Sequence, residues 1–198
     1  MLWFLVRFSW FVLYEVGVTE NMLCVWALEI VRVAFIVMSM LRPFHPDDLA
    51  ELVAYNNAEV PHVSELTFKT GAALVAMAED VTVAVDGEAM LGFVVAFTPG
   101  SEYHSLNYRW FADNLDDFVY VDRIVVLPET QSRGIGRALY AHVGALASQR
   151  NGVVACEVNL EPPNGSSMRF HERIGFSEIG QLGGAGKRVA MLVWNVGT

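Results

Sequence analysis

The sequence predicts an α+β protein with a mixed, mostly antiparallel central sheet flanked by helices. Short β-branched or alternating segments lie between amphipathic helical segments, and glycine-containing turns join neighbouring strands directly. The chain has 198 residues, of which 54% are hydrophobic and 18% charged. A chain of that length can form one domain with a substantial core, whereas two domains would need a longer chain.

The predicted elements follow the chain in order. The N-terminal part gives a strand, two helices and the two strands of a hairpin: 36–44, 47–57, 64–79, 81–85 and 90–97. Asp86-Gly87 suits the tight turn of that hairpin. Residues 99–117 are polar and aromatic without a clear period, which indicates a long loop or an irregular helix. The rest gives a strand, a helix, a strand, a helix and two closing strands: 118–127, 134–148, 153–160, 164–174, 176–182 and 188–194.

Residues 1–37 form a hydrophobic extension, while residues 38–198 read as one domain. The extension falls in two apolar stretches of near membrane-spanning length, but charged residues interrupt both of them. Three interpretations stay open: a membrane or interfacial anchor, an extra helical layer or oligomer contact such as a homodimer, and an extension from an upstream start codon. The third is favoured, because MSMLRPFHPDDLAEL from Met38 reads like a domain start.

Charge and cysteine content exclude several classes of protein. The net charge is −9 and Lys69 and Lys187 are the two lysines, so nucleic acid is not expected as a partner. Cys24 and Cys156 have neither metal-ligand spacing nor a disulfide pattern, which fits a reducing, cytoplasmic setting. Membrane contact is expected only if residues 1–37 belong to the natural protein. The histidines share no metal-ligand spacing, so no metal is expected.

The segment VYVDRIVVLPETQSRGIGRALYAHV carries the clearest chemical signal. A β-branched strand ends at Pro128, and Gly134 and Gly136 open an amphipathic helix. Glycines allow close backbone approach, and free N–H groups at a helix start attract anions. A Walker loop is excluded because Arg137-Ala138 follows the glycines, and a dinucleotide fingerprint is excluded by Leu139. A pyrophosphate site at the helix start remains.

These residues resemble the signatures of the GCN5-related N-acetyltransferase (GNAT) superfamily, and within it a bacterial group. The first signature, V-x-P followed by R/Q-x-x-G-x-G/A, is met by Val126, Pro128, Gln131, Gly134 and Gly136. The second is met, at the expected spacing, by the following residues: Asn164, His171, Gly175 and Phe176. The resemblance covers about residues 38–198 and implies the acyl-CoA N-acyltransferase fold, with a V-shaped split in its sheet.

The resemblance also implies roles in binding acetyl-CoA. The splayed strand near Val125 and Val126 would pair its backbone with the pantetheine arm, and Asn164 would contact the cofactor from the second helix. Backbone N–H groups of the turn would hold the pyrophosphate, and the side chains of its two arginines are further candidates. The residues of the turn are Gln131, Ser132, Arg133, Gly134, Ile135, Gly136 and Arg137. An amine would attack the thioester directly, helped by proximity and oxyanion-type donors.

Acid and base residues are less clearly indicated. His171 stands where the family usually has a tyrosine that protonates the leaving thiolate; it would either donate that proton or merely pack beside the cofactor. Asp122, which alternates with Tyr120 along the strand, is the first candidate base, and an ion pair with a neighbouring arginine is its alternative. Glu157 on the following strand is a weaker candidate.

The segment SEYHSLNYRWF is unusually aromatic for a solvated loop. Tyr103, Asn107, Tyr108 and Trp110 would form an acceptor pocket, or their rings would pack the loop onto the sheet. The expected function is acetyl transfer from acetyl-CoA to a primary amine of a small molecule. A peptide or protein amine is the nearest rival, and an acyl-CoA-binding regulatory module without catalysis is the alternative of a different class.

Overall fold

A computed structural model describes residues 40–197, whose centre is a seven-stranded sheet. Its strands, β1 to β7 in chain order, are Leu41–Pro43, Asp80–Asp86, Ala89–Phe97, Val119–Val126, Val153–Glu161, Ser177–Gly184 and Lys187–Asn195. Their spatial order is β1-β2-β3-β4-β5-β7-β6. Every neighbouring pair is antiparallel except β4–β5, which is parallel. The prediction of a mixed, mostly antiparallel sheet is confirmed.

Within the described residues, five α-helices flank the sheet. In chain order, α1 to α5 are Leu49–Ala58, Phe68–Met77, Leu106–Asn114, Ile135–Ser148 and Gly165–Arg173. Helix α2 begins later than predicted because Thr67 and Thr70 form a reciprocal capping box that fixes its first turn. Helix α3 is regular where a loop or an irregular helix was predicted; the Ser105 hydroxyl caps it by accepting from the Tyr108 N–H.

The core forms two layers, one on each face of the sheet. Strand β3 separates them and is buried along nearly its whole length, because its residues alternate between the two layers. Phe93 and Phe97 face the layer that includes α1, α2 and α3, while Val94 and Ala96 face the layer that includes α4. The central strands are therefore held rigidly from both sides.

Strands β4 and β5 pair over a short length and then separate. Their pairs are Val119↔Val154, Tyr120↔Ala155 and Val121↔Cys156. Beyond these, β4 stays paired with β3 to Val126, and β5 stays paired with β7 to Glu161. The strands thus diverge into a V-shaped split at their carboxyl ends.

The extension 1–37 and Cys24 lie outside the described residues, as does the first part of the strand predicted over 36–44. Within residues 40–197, no helix is long and apolar enough to cross a membrane.

Candidate active site

A cavity of about 650 Å³ opens where β4 and β5 part. Both strands line it beyond their last pair, together with the α1–α2 loop, the start of α3, the start of α5 and the β6–β7 hairpin. These segments, with Tyr140 of α4, meet at the split, which gives the cavity walls of different chemistry. Carboxylates from the two strands lie between these walls.

Asp122 on β4 is heavily engaged inside the cavity. Its carboxylate accepts a hydrogen bond of 2.6 Å from the Tyr103 hydroxyl and one of 3.0 Å from Nε of Arg123. Burial raises the pKa of Asp122, while the charge of Arg123 and the bond from Tyr103 act in the opposite direction. Asp122 therefore forms the ion pair with a neighbouring arginine that was its alternative assignment.

Glu157 on β5 faces the same space from the other strand. Its Oε2 accepts a hydrogen bond of 2.8 Å from the Tyr120 hydroxyl, and its Oε1 accepts one of 2.7 Å from the Asn107 amide. No cation pairs with it among the described ion pairs. Burial, together with the nearby charge of Asp122, raises the pKa of Glu157 to about 7. Such a carboxylate can accept a proton near neutral pH.

His171 on α5 lies in a hydrogen-bonded chain. Its Nδ1 is 2.8 Å from the carbonyl oxygen of Ser167, so the proton lies on Nδ1. Its Nε2 therefore accepts the hydrogen bond of 2.6 Å from the Tyr140 hydroxyl. Burial lowers the pKa of His171, although the bond to Ser167 opposes this shift. The imidazole is thus neutral at neutral pH, and its Nε2 is not a proton donor in this arrangement.

Burial raises the pKa of Tyr140 and of Cys156 on β5, both of which line the cavity. Cys156 is a buried free thiol. It therefore has the character of a small core residue rather than of a reactive nucleophile.

The predicted anion-binding turn begins after a short 3₁₀ helix, Pro128–Thr130. Ser132 and Gly134 adopt left-handed backbone conformations, with φ of 67° and 85°. No side chain caps the start of α4 at Gly134, so its first N–H groups are free for an anion. The side chain of Ile135 is buried in the core, which leaves only its backbone for a ligand.

Space at this turn is limited by α5. A Cβ added at Gly136 would lie 3.2 Å from Cζ of Phe170, so glycine permits the close packing of the two helices. Gln131, Arg133 and Arg137 are exposed, and Arg133 lies 3.4 Å from Asp86 in a surface ion pair. Positive charge is therefore available at the helix start.

The other residues predicted to contact a cofactor occupy different environments. Asn164 lines the cavity and caps α5, its Oδ1 accepting from the Ser167 N–H at 3.1 Å. Val125 is buried in the core and Val126 is partly buried, both on the part of β4 that has left β5. The turn itself lies just beyond that strand and outside the lining of the cavity.

The aromatic segment divides between the cavity and the core. Tyr103 and Asn107 line the cavity through their contacts with the two carboxylates. Tyr108 and Trp110 do not. Tyr108 is buried and donates to the carbonyl oxygen of Thr98 at 2.8 Å, while Trp110 packs against Gly180 of β6. For these last two residues, packing of the segment onto the sheet replaces the expected role in a pocket.

Three site residues were not predicted: Tyr120, Arg123 and Tyr140. Tyr120 carried a usable signal, since its alternation with Asp122 places both on one face of β4. Arg123 carried only its place beside Asp122, and Tyr140 carried no signal, because their other partners, Asn56, Ser64 and His171, are distant in sequence. Within the described part of the chain, no group of three or more His, Cys, Asp or Glu side chains is placed to hold a metal ion.

Comparisons with known proteins agree with this architecture. The family model described as Acetyltransferase (GNAT) domain matches residues 77–178. Among solved structures, the ribosomal-protein-S18-alanine N-acetyltransferase from Escherichia coli is 18% identical, with a TM-score of 0.58, 80% of this chain covered and 94% of that chain. Arabidopsis thaliana NAA60 in complex with acetyl-CoA is 20% identical, with a TM-score of 0.64 and coverage of 80% and 98%.

An N-acetyltransferase from Staphylococcus aureus Mu50 is 17% identical, with a TM-score of 0.61 and coverage of 79% of this chain and 98% of that chain. At these identities the structural matches show a shared fold. The family-model match includes both the split strands and the glycine turn, so it supports more than a shared fold.

Proposed function

The chain belongs to the GNAT family of acetyltransferases, and from this premise we propose that it transfers an acetyl group from acetyl-CoA to a primary amine. The observation that carries the proposal is the position of Glu157. Its carboxylate lies in the cavity at the split, without a cationic partner among the described ion pairs and with a pKa raised to about 7. A base of that pKa is suited to deprotonate an incoming ammonium group at neutral pH.

Glu157 is a better candidate base than Asp122. Asp122 accepts from Tyr103 and is paired with Arg123, so both of its oxygens are occupied by strong donors. Glu157 accepts only from neutral donors, the Tyr120 hydroxyl and the Asn107 amide. The two donors orient the carboxylate without neutralising its charge, which leaves it able to attract a cationic amine.

The residues of the turn and the split fit coenzyme A. The uncapped start of α4, with Gly134 in a left-handed conformation and Arg133 and Arg137 exposed beside it, suits a pyrophosphate. The unpaired side of β4 around Val125 and Val126 suits the amide groups of a pantetheine arm. When bound, acetyl-CoA supplies an acetyl thioester, whose C–S bond breaks as the amine nitrogen forms the new C–N bond.

A primary amine of a small molecule is the leading acceptor. Tyr103 and Asn107 would border it, beside the carboxylates of Asp122 and Glu157. A peptide or protein amine is the second candidate, because the cavity reaches the β6–β7 hairpin, where Gly183 and Gly186 carry no side chains that would close it. Arabidopsis thaliana NAA60 in complex with a bisubstrate analogue shares the fold at 21% identity and a TM-score of 0.63.

The decisive experiment is an acceptor screen with the purified full-length chain. Small primary amines and peptides with free N termini are incubated with acetyl-CoA, and thiol release and acetylated products are measured by absorbance and mass spectrometry. We expect amine-dependent thiol release with a matching acetylated product. Tight acetyl-CoA binding without turnover on any acceptor would overturn the enzymatic proposal in favour of a regulatory module that binds acyl-CoA.

A further inference from the structure

Arg123 has a contact pattern that the proposed reaction does not explain. Its side chain is only 6% exposed, and its guanidinium reaches two segments of the chain at once. Nε donates to Asp122 at 3.0 Å, while Nη1 donates to Oδ1 of Asn56 at 2.6 Å and to the carbonyl oxygen of Ser64 at 2.8 Å. Nη2 donates to Oγ of Ser64 at 2.7 Å. One buried cation thus serves four acceptors.

Asn56 lies in the last turns of α1, and Ser64 lies in the loop that connects α1 to α2. That loop forms one wall of the cavity from Glu59 to Ser64. Other hydrogen bonds join the end of α1 to the far end of the same loop. Asn57 exchanges hydrogen bonds of 2.8 Å with the backbone of Leu66. Arg123 connects the wall to β4, next to the carboxylate that Tyr103 also holds.

A second tether comes from β5. The Asn159 amide donates to the carbonyl oxygen of His62, at 3.2 Å and on an exposed part of the loop. A neutral, exposed bond of that length contributes little, whereas buried bonds from a charged donor are strong. The Asn56 amide also donates to the carbonyl oxygen of Ser64 at 2.9 Å, but that bond ties the loop to α1. The attachment of the wall to β4 therefore depends chiefly on Arg123.

We infer that Arg123 is a positioning residue that clamps the α1–α2 loop against β4 and thereby sets the affinity for the acyl acceptor. The inference rests on the proposed function, since it assigns the side of the cavity facing this loop to the acceptor. The anion-binding turn follows the far end of β4, and none of the residues that Arg123 contacts belongs to it. Loss of the clamp should therefore weaken acceptor binding and leave acetyl-CoA binding intact.

The geometry requires arginine in particular. A planar guanidinium directs its donors along fixed, divergent lines, so it can serve Asp122, Asn56 and Ser64 together. A lysine keeps the charge beside Asp122 but presents a single nitrogen on a flexible stem. Arg123→Lys therefore removes the fork while keeping the cation.

Two variants test the clamp: Arg123→Lys and Ser64→Ala. Ser64 is exposed as a residue, so its truncation should fold even if the change at the buried Arg123 does not. Arg150→Lys is the matched control, because Arg150 makes an ion pair with Asp117 away from the cavity. Hydrogen–deuterium exchange of residues 59–66 is measured without ligands, and KM is measured separately for acceptor and acetyl-CoA.

We expect faster exchange over 59–66 in both variants and an acceptor KM raised about tenfold, with the KM of acetyl-CoA and the control unchanged. Unchanged exchange in both variants, or KM values that rise equally for both substrates, would overturn the clamp. If no amine is acetylated by the unmodified protein, the proposed function fails, and the exchange measurement still decides whether Arg123 holds the loop.

Discussion

The hydroxyl of Tyr120 donates a hydrogen bond of 2.8 Å to Oε2 of Glu157, joining β4 to β5 beside the point where the strands separate. With the Asn107 amide on the other oxygen, this bond fixes the carboxylate before any ligand binds. Orientation in advance removes a reorganisation cost from the proton transfer that we propose.

Replacing Glu157 by Gln should lower kcat/KM for the acceptor by about 100-fold or more, because the amide cannot accept the ammonium proton. The KM of acetyl-CoA should change little. Steady-state kinetics with an acceptor from the screen would measure both. Glu178→Gln is the control, since Glu178 is exposed on β6 and contacts Gln181. Near-normal turnover of the Glu157 variant would remove the base from the mechanism.

The rate should depend on pH through the same group. Because burial raises the pKa of Glu157 to about 7, kcat/KM should rise with pH below that value and level off above it. The acceptor should be an amine of lysine-like basicity, which titrates far above this range. A profile that is flat between pH 5 and 8 would contradict the assignment.

Stability should show the opposite dependence on pH. The pKa of Glu157 in the folded protein, about 7, lies above its ordinary value of 4.5. Its contribution to folding stability is therefore fully present below pH 4.5 and is lost as the pH rises through about 7. Glu157→Gln should therefore melt higher than the unmodified protein at pH 8, by about 2–4 °C, with a smaller difference at pH 5. Calorimetry at the two pH values would check this, and a difference independent of pH would count against it.

The anion-binding turn can be tested with paired glycine variants. Gly134 and Gly87 both have positive φ, 85° and 63°, and a Cβ at either would meet nothing within 4 Å. Alanine at each should cost about 1 kcal/mol of folding free energy through backbone strain. Only Gly134→Ala should also weaken acetyl-CoA binding, as measured by calorimetric titration. Equal affinities in the two variants would argue against the turn as the pyrophosphate site.

His171 should prove to be a packing residue. Because its pKa is lowered and its Nε2 accepts from Tyr140, His171→Phe should keep the rise in rate near pH 7. It should still lose about 1–3 kcal/mol of stability, since the Tyr140 hydroxyl and the Ser167 carbonyl lose their partner. Urea unfolding and a pH–rate profile would measure the two effects. Loss of turnover that is greatest at the lower pH values, where the imidazole would be protonated, would instead point to proton donation by His171.

Features that depend on neighbouring residues were predictable from the sequence, whereas contacts between distant residues were not. The glycine turn was predictable because Gly134 and Gly136 act through their own backbone and their immediate neighbours. The hairpin at Asp86-Gly87 was predictable for the same reason. Helix α3 was predicted only as a loop or an irregular helix although Ser105 is a good capping residue, because its aromatic side chains are divided between the core and β6 and hide the helical period.

Side-chain partnerships across long sequence separations could not be predicted. Arg123 finds Asn56 and Ser64 only after α1 packs beside the sheet, and a strand of alternating residues gives no sign of this. Likewise, the neutral state of His171 follows from its burial, and Tyr140, which donates to its Nε2, approaches from another helix. The family resemblance indicated that position 171 belongs to the site, whereas the protonation state of His171 depends on its surroundings in the fold.

The three-pair junction between β4 and β5 also has a consequence for the cohesion of the molecule. A sheet that divides so early leaves backbone groups of its central strands without the partners that would otherwise hold its two halves together. The fold thereby loses hydrogen bonds between its two halves at a place where a ligand with peptide-like amides can supply them again. In that sense the donor substrate would complete the sheet as well as occupy the site.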